Sequence, residues 1–382
     1  MQLSVIILNY NVRHFLELCV LSVQDAVQNL DAEIIVVDNN SSDDSCAMMK
    51  LRFPNVKLIE NKENLGFPKG NNIGVAKAKG EYICILNPDT VVAEDTFEKI
   101  LRTENWQLNT GIVGCKLIDG TGNFLPESKR GIPTPWVAFT KIFGLYTLFP
   151  KSTLFNKYYA QHLKENETGK VDILVGAFMV MQRELYNEIG GFDEDCFMYS
   201  DDIDLSYRVL QKGNSNYYFH DTSVIHYKGE STVKDGKYMK RFQEAMNFFY
   251  KKHFKISIFF TVFMKVGIVL YSLVKKRQGH SKPSSNPKSY ILISENLDLK
   301  EKLEKHLKKE VMLHDISHLS EVNFKSEIIF DQNHLDFKTI IEAFENYKKD
   351  NCTYKILPKS TNFLIGSNSS YDRGEVIKIQ DL

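Results

Sequence analysis

The sequence lacks the features that mark several common classes of protein. Its 382 residues carry 48 lysines and arginines against 48 aspartates and glutamates, so the absence of net charge gives no reason to expect a nucleic-acid partner. The six cysteines include no C-x-x-C pair, which argues against a disulfide scaffold and against a zinc site. There is no P-loop, and Asn9-Tyr10-Asn11 stands where a dinucleotide-binding fold carries its glycines. Hydride transfer from a bound dinucleotide is therefore not expected.

No secretory signal precedes the first apolar run of the chain. Leu3–Leu8 already has the continuous apolar character of a strand covered on both faces, so it does not fit a signal peptide. The scattered cysteines are also typical of a reducing compartment. We therefore expect a cytoplasmic protein, and its length allows two domains with a short attached piece.

Short apolar runs alternate with helical patterns over the first 90 residues. The runs at 3–8, 33–37, 56–60 and 82–86 predict strands, and the segments between them predict helices at 12–27, 44–52 and 73–78. Such an alternation indicates a parallel sheet with right-handed crossovers. Ligands of such sheets bind at the carboxyl ends of the strands, where this chain places polar residues.

Asp89 is the acidic residue that follows the fourth predicted strand. Pro88 cannot donate to a strand ladder and ends the strand, so the Asp89 carboxylate is delivered to the carboxyl edge of the sheet. A carboxylate there suits a hard divalent cation that bridges phosphate oxygens. The alternative is that Asp89 caps a helix that begins near Val91.

Four motifs in this order resemble those of family 2 glycosyltransferases. They are Val5–Asn11, Val36–Asp43, Asn64–Gly74 and Asn87–Asp89. The resemblance covers residues 1–255 and is closest to the bacterial branch described as rhamnosyltransferase-like. It implies the type A nucleotide-diphospho-sugar transferase fold, which is a Rossmann-like α/β fold with a mixed, mainly parallel sheet.

The resemblance implies a binding site for a nucleotide-diphosphate sugar in the loops after the strands. Asp38 lies where the family recognises the base and its ribose, and a carboxylate there accepts charge-assisted hydrogen bonds. The alternative is that Asp38 caps the following helix. The residues expected to bind the donor are Asn9, Tyr10, Asn11, Asp38, Asn40, Gly66, Lys69, Asn71 and Asn87.

The resemblance also implies that Asp89 and His226 hold Mg²⁺ or Mn²⁺ against the diphosphate. Many relatives carry two acids in this motif, whereas this chain has Asn87 in place of the first, which leaves fewer protein ligands. The cation would stabilise the charge that develops on the departing diphosphate. For His226, a structural role near a strand end is the alternative.

Three acids, Asp201, Asp202 and Asp204, open a predicted helix over 202–212. Acids in a first turn suit the helix dipole, and Asp204 can pair with Arg208 one turn further on. In the similar enzymes the second acid of this motif is the catalytic base, which is Asp202 here. Asp201 replaces the glutamate that orients the acceptor. The resemblance therefore implies a single displacement with inversion at the anomeric carbon.

The acceptor side is expected between these motifs. Gly176 lies in a predicted strand at 171–181, where a small residue lets a sugar approach the backbone. The resembled branch has a basic residue near Arg130 in its sugar or acceptor region, although a solvated charge is the alternative for Arg130. Residues 134–170 are rich in aromatic side chains and fit either a flexible acceptor-side loop or a helical pair packed on the sheet.

The segment 256–274 is mostly apolar and has basic residues at both ends, with Lys265 near its middle. A lysine at the centre of a membrane span costs about 2.5 to 3.5 kcal/mol on insertion scales. The pattern therefore favours a helix that lies on the inner face of an anionic cell membrane. A single span at 256–274 and burial against the catalytic domain are the alternatives.

Four parts are expected along the chain. They are a catalytic domain at 1–255, a membrane-associating helix at 256–277, a Ser/Pro/Lys linker at 278–288 and a small Rossmann-like α/β domain at 289–382. Ser294-Glu295-Asn296 stands where a phosphate-binding fold needs glycines, so no cofactor is expected in the last part.

The sequence thus predicts a membrane-associated, inverting glycosyltransferase of cell-surface polysaccharide synthesis. The expected donor is dTDP-rhamnose or a UDP-sugar, and the expected acceptor is lipid-linked or a saccharide. One alternative is a catalytically silent nucleotide-sugar-binding or scaffold protein. Another is a sugar-phosphate nucleotidyltransferase, although the glycine-rich basic loop of that class is absent here.

Overall fold

A mixed sheet of nine strands organises the part of the chain before residue 227. The computed structural model describes residues 1–102, 104, 106–149, 152, 154–227, 236–254, 287–322, 325–349, 352–368 and 374–379. The strands of this part are β1 (Leu3–Asn9), β2 (Ala32–Asp38), β3 (Lys57–Glu60), β4 (Tyr82–Leu86), β5 (Thr90–Val91), β6 (Thr110–Ile118), β7 (Lys129–Arg130), β8 (Gly169–Val171), β9 (Ile173–Leu174), β10 (Phe178–Gln182) and β11 (Ser215–His226).

The strand order is β3-β2-β1-β4-β10-β6-β11-β5, with β8 paired to β11, while β7 and β9 form a separate two-stranded sheet. The first four strands are parallel, and β10 runs antiparallel between β4 and β6. The carboxyl ends of β1, β2 and β4 therefore lie at the same edge as the start of β10. The α/β fold class expected from the sequence, with its mixed sheet, is confirmed.

Helices cover both faces of this sheet. They are α1 (Arg13–Ala26), α2 (Ser45–Arg52), α3 (Gly66–Val75), α4 (Thr96–Ile100), α5 (Pro135–Ile142), α6 (Leu145–Leu148), α7 (Arg183–Glu188), α8 (Asp201–Gln211) and α9 (Gly236–His253), with a 3₁₀ turn at Pro126–Ser128. Because side chains alternate along a strand, Val5 and Ile7 of β1 pack with α1, whereas Ile6 and Leu8 pack in the core of the other face. The continuous apolar run of β1 follows from burial on both faces.

Three details of the local structure differ from the sequence-based expectations. The third helix begins at Gly66 and not at Ile73, because Pro68 is tolerated in the first turn of a helix, where no backbone donor is needed. Thr90–Val91 is a strand paired with β11, so Asp89 does not cap a helix there. The single strand expected at 171–181 is three short strands, because each pairs with a different neighbour.

The chain from Ser289 onward forms a second sheet of six strands, in the order β13-β12-β14-β15-β16-β17. Its elements are β12 (Ser289–Ile293), α10 (Leu297–Leu307), β13 (Val311–His314), a 3₁₀ turn at Ile316–Glu321, β14 (Ser326–Asp331), α11 (Phe337–Asn346), β15 (Cys352–Leu357), β16 (Phe363–Ser367) and β17 (Glu375–Lys378). We call the described part of 287–379 the C-terminal unit. Asn296 caps α10 by accepting from the Leu299 N–H, 3.0 Å away.

The C-terminal unit and the first sheet share one apolar core. Phe15 and Leu18 of α1, with Ile225 of β11, pack in the same cluster as Phe330 and Phe344 of the C-terminal unit. The division into four domains stays a prediction, since 256–277 and most of the expected linker lie outside the described residues. Among the helices that are described, none is long and apolar enough to span a bilayer.

Candidate active site

Asn9 and Asp38 lie side by side at the carboxyl ends of β1 and β2, where the strand register makes them partners. The Asn9 Nδ2 donates to Asp38 Oδ1 at 2.7 Å, and the Ser41 N–H donates to Asp38 Oδ2 at 2.8 Å. Asp38 is buried, and α2 begins only at Ser45, where Asp43 accepts from the first N–H. The capping alternative for Asp38 is therefore wrong, and its carboxylate is held in place at the sheet edge.

The loops after β1 and β2 are tied together by asparagine. Asn11 Oδ1 accepts from the Ser42 N–H at 2.7 Å, and the Asn11 N–H donates to Ser41 Oγ at 2.9 Å. Asn11 and Asn40 both adopt left-handed backbone, with φ of 57° and 61°, which asparagine tolerates better than most residues. Tyr10 is half-buried beside them and Asn40 is exposed. The two loops thus form one polar wall around Asp38.

The start of α3 adjoins this wall. Asn39 Nδ2 donates to the Gly66 carbonyl at 3.0 Å. Gly66 has a φ of +81°, and a Cβ there would lie 2.8 Å from the Phe197 ring, so this position requires glycine. Asn71 is buried and donates to the Phe67 carbonyl, and its Oδ1 has no hydrogen-bond partner among the described residues. Lys69 is exposed on the same turn.

Asp89 and His226 meet at the end of β4. The pairing of β5 with β11 places Thr90 opposite His226, and the His226 Nε2 lies 3.4 Å from Asp89 Oδ1. Asn87 Nδ2 lies 3.4 Å from the same ring nitrogen. Asp89 and His226 are only 5% and 7% exposed. The structure thus brings both predicted metal ligands together.

The polar atoms of this pair are not fully used by the protein. Asp89 Oδ1 and His226 Nδ1 are buried and have no hydrogen-bond partner within the described part of the chain. An ionised oxygen and an imidazole nitrogen are both ligands that divalent metals accept. In the described ranges, however, no group of three or more histidines, cysteines or acids could hold a metal. Asp89 and His226 are therefore an incomplete ligand set that needs oxygen atoms from elsewhere.

Asp202 lies in the first turn of α8 and is held by two donors. The Arg130 Nη2 donates to Asp202 Oδ2 at 2.6 Å, and the Gly176 N–H donates to the same oxygen at 3.0 Å. A Cβ on Gly176 would lie 3.3 Å from the Asp202 Cβ, so the close approach of this backbone favours glycine. Arg130 is not a solvated charge, and that alternative is wrong.

Asp201, Asp202 and Arg130 lie close enough for each charge to shift the pKa of a neighbour. Burial, and then the negative charge of Asp202, raise the pKa of Asp201 to about 7. Burial opposes the charged form of Arg130, but the Asp202 carboxylate outweighs it and raises the pKa of Arg130 above its ordinary value. The buried Arg130 cation therefore acts on both carboxyl groups: it pairs with Asp202, and its charge lowers the pKa of Asp201.

Backbone contacts connect these groups along the sheet edge. The Asn87 N–H donates to the Ala177 carbonyl at 3.0 Å, which joins the end of β4 to the loop that holds Gly176. The Phe67 ring of α3 lies 3.6 Å from the Cβ position of Gly176. The predicted donor, metal and catalytic residues thus occupy one continuous edge.

Two residues of this edge were not predicted from the sequence. Ser41 bonds both Asp38 oxygens, and the Asp-Asn-Asn-Ser-Ser run after β2 is the signal that could have indicated it. Tyr158 lies beside Arg130, and the positive charges of Lys141 and Arg130 overcome the effect of burial and lower the pKa of the Tyr158 hydroxyl. No spacing in the sequence connects Tyr158 with Arg130.

The family assignment follows from residues 4–190, which match the Glycosyl transferase family 2 model. The chain therefore carries a family 2 glycosyltransferase domain, and the resemblance seen in its motifs is confirmed. The match includes Asp38, Asp89 and Arg130 but ends before Asp201 and Asp202.

The chain is similar to two rhamnosyltransferases and to a solved mannosyltransferase structure. The chain is 25% identical over 213 residues to the N-acetylglucosaminyl-diphospho-decaprenol L-rhamnosyltransferase of Mycobacterium tuberculosis, covering 53% of this chain and 68% of the relative. It is 27% identical over 174 residues to rhamnosyltransferase WbbL of Escherichia coli, covering 42% and 61%. The mannosyltransferase PcManGT from Pyrobaculum calidifontis aligns with a TM-score of 0.47 and 18% identity, over 74% of this chain and 76% of that one.

Proposed function

We propose that this protein is an inverting glycosyltransferase of cell-surface polysaccharide synthesis. It would move a sugar from a nucleotide-diphosphate sugar, dTDP-rhamnose or a UDP-sugar, to a lipid-linked or saccharide acceptor. The observation that carries this proposal is the Asp202 carboxylate, which Arg130 and the Gly176 N–H hold at the sheet edge occupied by Asp38 and Asp89. The names of the mycobacterial and Escherichia coli relatives support a rhamnosyl donor, and the mycobacterial name supports a lipid-linked acceptor.

The donor nucleotide would lie along the wall formed by the loops after β1 and β2. Asp38 Oδ2 accepts from the Ser41 N–H, and a carboxylate oxygen has a second lone pair that could accept from a base N–H or a ribose hydroxyl. Asn9, Tyr10, Asn11 and Asn40 frame that position. The diphosphate would then lie toward Asn87 and the start of α3. Gly66 and Asn71 belong to the first turns of that helix, and exposed Lys69 would supply positive charge.

Asp89 and His226 would hold Mg²⁺ or Mn²⁺. The fit rests on Asp89 Oδ1, which is buried and lacks a hydrogen-bond partner in the described chain, and on the His226 Nε2 that lies 3.4 Å from it. Because these residues provide too few ligands, diphosphate oxygens and water would complete the coordination. When bound, the cation would neutralise charge on the leaving diphosphate.

In the proposed reaction the Asp202 carboxylate accepts the proton of the acceptor hydroxyl. The acceptor oxygen attacks the anomeric carbon while the bond from that carbon to the diphosphate oxygen breaks. The electron pair of this bond leaves with the nucleotide diphosphate, and the configuration inverts. Arg130 balances the charge of Asp202 before the transfer, and Asp201 orients the acceptor beside it. Gly176 would act on the acceptor side by holding the Asp202 carboxylate through its N–H.

The proposed location is the inner face of the cell membrane, since a lipid-linked acceptor is confined there. The expected membrane-associating helix at 256–277 lies outside the described residues. Helix α9 ends at His253 and leads directly to that segment.

The proposal is tested with the Asp202→Asn variant and with Asp195→Asn as a matched control, because Asp195 is exposed and precedes α8. We expect Asp202→Asn to lower the rate of transfer by roughly 10²-fold or more, as for loss of a general base, while the control keeps its rate. Thermal shifts with UDP-, dTDP- and GDP-sugars would show that donor binding survives in both variants. Retained turnover in Asp202→Asn would refute the assigned base.

The same thermal-shift panel separates the metal from the donor site. A shift that requires Mn²⁺ and is lost in Asp89→Asn and His226→Gln would support the ligand assignment. A metal-independent shift would keep the donor site and refute the metal site. No shift with any donor would favour a catalytically silent scaffold protein.

A further inference from the structure

An exposed aromatic surface lies on the helical segment that follows Arg130. Its described members are large apolar side chains with substantial exposure: Trp136 at 46%, Phe143 at 40%, Leu148 at 68%, Phe149 at 52% and Leu154 at 61%. We call these five residues the aromatic surface. Isolated exposed apolar residues are ordinary, but a cluster of this size on one segment marks a surface for a partner.

The aromatic surface is continuous because its rings touch. Phe139 lies between Phe143 and Trp136, with ring centroids 4.7 and 5.3 Å apart. Phe155 lies between Trp136 and Phe149, at 5.9 and 5.4 Å. The Trp136 Nε1 donates to the Leu154 carbonyl at 3.0 Å and so fixes the two halves of the segment together. The exposed rings therefore form one surface and not scattered contacts.

The charged residues along this segment of the sequence are all basic. Between Glu127 and Glu165 the sequence has six lysines and arginines and no aspartate or glutamate. Within the described residues, the Lys141 Nζ lies 3.6 Å from the centre of the Tyr158 ring, and Lys157 is exposed. Exposed aromatic rings with lysines beside them complement an anionic layer with an apolar interior.

The aromatic surface is also attached to the candidate catalytic helix. The opposite face of α5 is buried, where Ala138 packs with Ile203, the residue after Asp202, and with Phe249 and Tyr250 of α9. The chain that follows α9 leads into the basic-flanked apolar segment expected at the membrane. The aromatic surface and the end of α9 are thus both attached to α8 near Ile203.

We propose that the aromatic surface rests on the headgroup region of an anionic phospholipid bilayer. Aromatic rings prefer this depth, and Lys141 and Lys157 would face the lipid phosphates. The contact would hold Arg130 and Asp202 close to the level at which a lipid-linked acceptor presents its sugar. This last consequence rests on the proposed function, whereas the bilayer contact does not.

Trp136 is a built-in reporter of this contact. The sequence contains two tryptophans, so Trp106→Phe leaves Trp136 alone. We expect vesicles with phosphatidylglycerol to shift the Trp136 emission to shorter wavelength and brominated lipid to quench it, with far weaker effects from phosphatidylcholine alone. If the protein sediments with anionic vesicles but the Trp136 emission stays unchanged, another segment binds the membrane and the proposal is wrong. If the Trp136 emission is already at short wavelength and shielded from acrylamide without vesicles, the protein itself covers the aromatic surface. That result would also overturn the proposal.

Variants give an independent measure without donor or acceptor. The double variant Phe143→Ser/Phe149→Ser should weaken binding to anionic vesicles by about tenfold or more, because apolar area no longer enters the interface. Leu51→Ser and Leu108→Ser are matched controls at sites 83% and 99% exposed, and they should bind as the unchanged protein does. Equal binding of the double variant and the controls would refute the proposal. Vesicle binding in a protein that transfers no sugar would refute the proposed function alone.

Discussion

Arg130 and Asp202 form an ion pair across 72 residues of sequence, with the guanidinium Nη2 2.6 Å from the carboxylate Oδ2. Both side chains are largely buried, at 11% and 12% exposure. Asp201 precedes Asp202 in the first turn of α8, and burial together with the charge of Asp202 raises the pKa of Asp201 to about 7. The pair therefore decides how negative charge is shared between two adjacent acids at the candidate catalytic position.

Replacing Arg130 by methionine tests the importance of that cation. Without it, Asp201 loses the positive charge that lowers its pKa, and it ionises less readily. We expect the acidic limb of the kcat/KM–pH profile to move upward by about 1 to 3 pH units, the range by which a neighbouring arginine shifts a carboxylate. Arg130→Lys should restore part of the shift, and Lys164→Met, at a side chain 83% exposed, should leave the profile unchanged. An acidic limb that does not move in Arg130→Met would contradict the assigned role.

The pKa of Asp201 also predicts how stability depends on pH. Its value rises from 3.8 to about 7 on folding, so between these values the folded protein keeps a proton that the unfolded chain has lost. Unfolding free energy should consequently fall as pH rises through this window. In Asp201→Asn this contribution is absent, and the loss of stability between pH 5 and pH 8 should be smaller than in the unchanged protein.

Urea unfolding at a series of pH values measures this difference. Asp298→Asn is the control, because Asp298 is 73% exposed and its pairing with Lys302 lies on the surface of α10. If the unfolding free energies of Asp201→Asn and Asp298→Asn depend on pH in the same way, Asp201 titrates normally in the folded protein.

The sheet edge of the site could be predicted from the sequence because its geometry is local. Each strand is a short apolar run, and parallel strands end at a common edge, so the polar residues after β1 and β2 had to meet. Asn9 and Asp38 do so at 2.7 Å. The Asp204–Arg208 pair was predictable for the same reason, since residues four apart adjoin on a helix, and its distance is 2.7 Å.

The contacts that depend on tertiary packing could not be predicted in this way. Arg130 reaches Asp202 only because β7 pairs with β9 and α8 packs against β9, and no periodicity links those segments. The start of α3 was missed because Gly66 and Pro68 are also typical of turns. Likewise, no pattern within α1 indicates that the C-terminal unit packs against its Phe15 and Leu18.

Asp204 is fully buried and joins α8 to the end of α9. Arg208 Nε lies 2.7 Å, Lys252 Nζ 2.9 Å and His253 Nε2 2.6 Å from its carboxylate oxygens. Burial opposes its charged form, but the positive charge of Arg208 and the hydrogen bonds from His253, Lys252 and Arg208 lower the pKa of Asp204 below its ordinary value of 3.8. Asp204→Asn should cost about 1.5 to 3 kcal/mol, because Arg208, Lys252 and His253 lose the charged acceptor that they share.

The pH dependence of this loss has a definite sign. A lowered carboxyl pKa contributes stability above the unfolded value of 3.8, and that contribution disappears as the pH falls through the folded value. The difference between Asp204→Asn and the unchanged protein should therefore shrink below pH 3.8 in urea unfolding. A loss of less than 1 kcal/mol, comparable with an exposed pair, would show that the network contributes little.

Glu94 is the residue that caps a helix of the C-terminal unit from outside. Its Oε1 accepts from the Phe337 N–H at 2.7 Å and its Oε2 from the Lys338 N–H at 2.8 Å, so it satisfies donors that the first turn of α11 leaves open. Glu94→Ala should lower the unfolding free energy by about 0.5 to 2 kcal/mol, as for other lost helix caps. Amide hydrogen exchange at Phe337 and Lys338 should become faster.

Asp336→Ala provides the comparison, because Asp336 caps the same helix from within the C-terminal unit by accepting from the Thr339 N–H at 2.7 Å. Both variants remove one capping carboxylate, but only Glu94→Ala breaks hydrogen bonds between the glycosyltransferase domain and the C-terminal unit. Exchange in the shared core around Phe15 and Phe344 should therefore rise more in Glu94→Ala than in Asp336→Ala. If the two variants accelerate that core equally, Glu94 acts as a helix cap alone and does not help to hold the C-terminal unit on the glycosyltransferase domain.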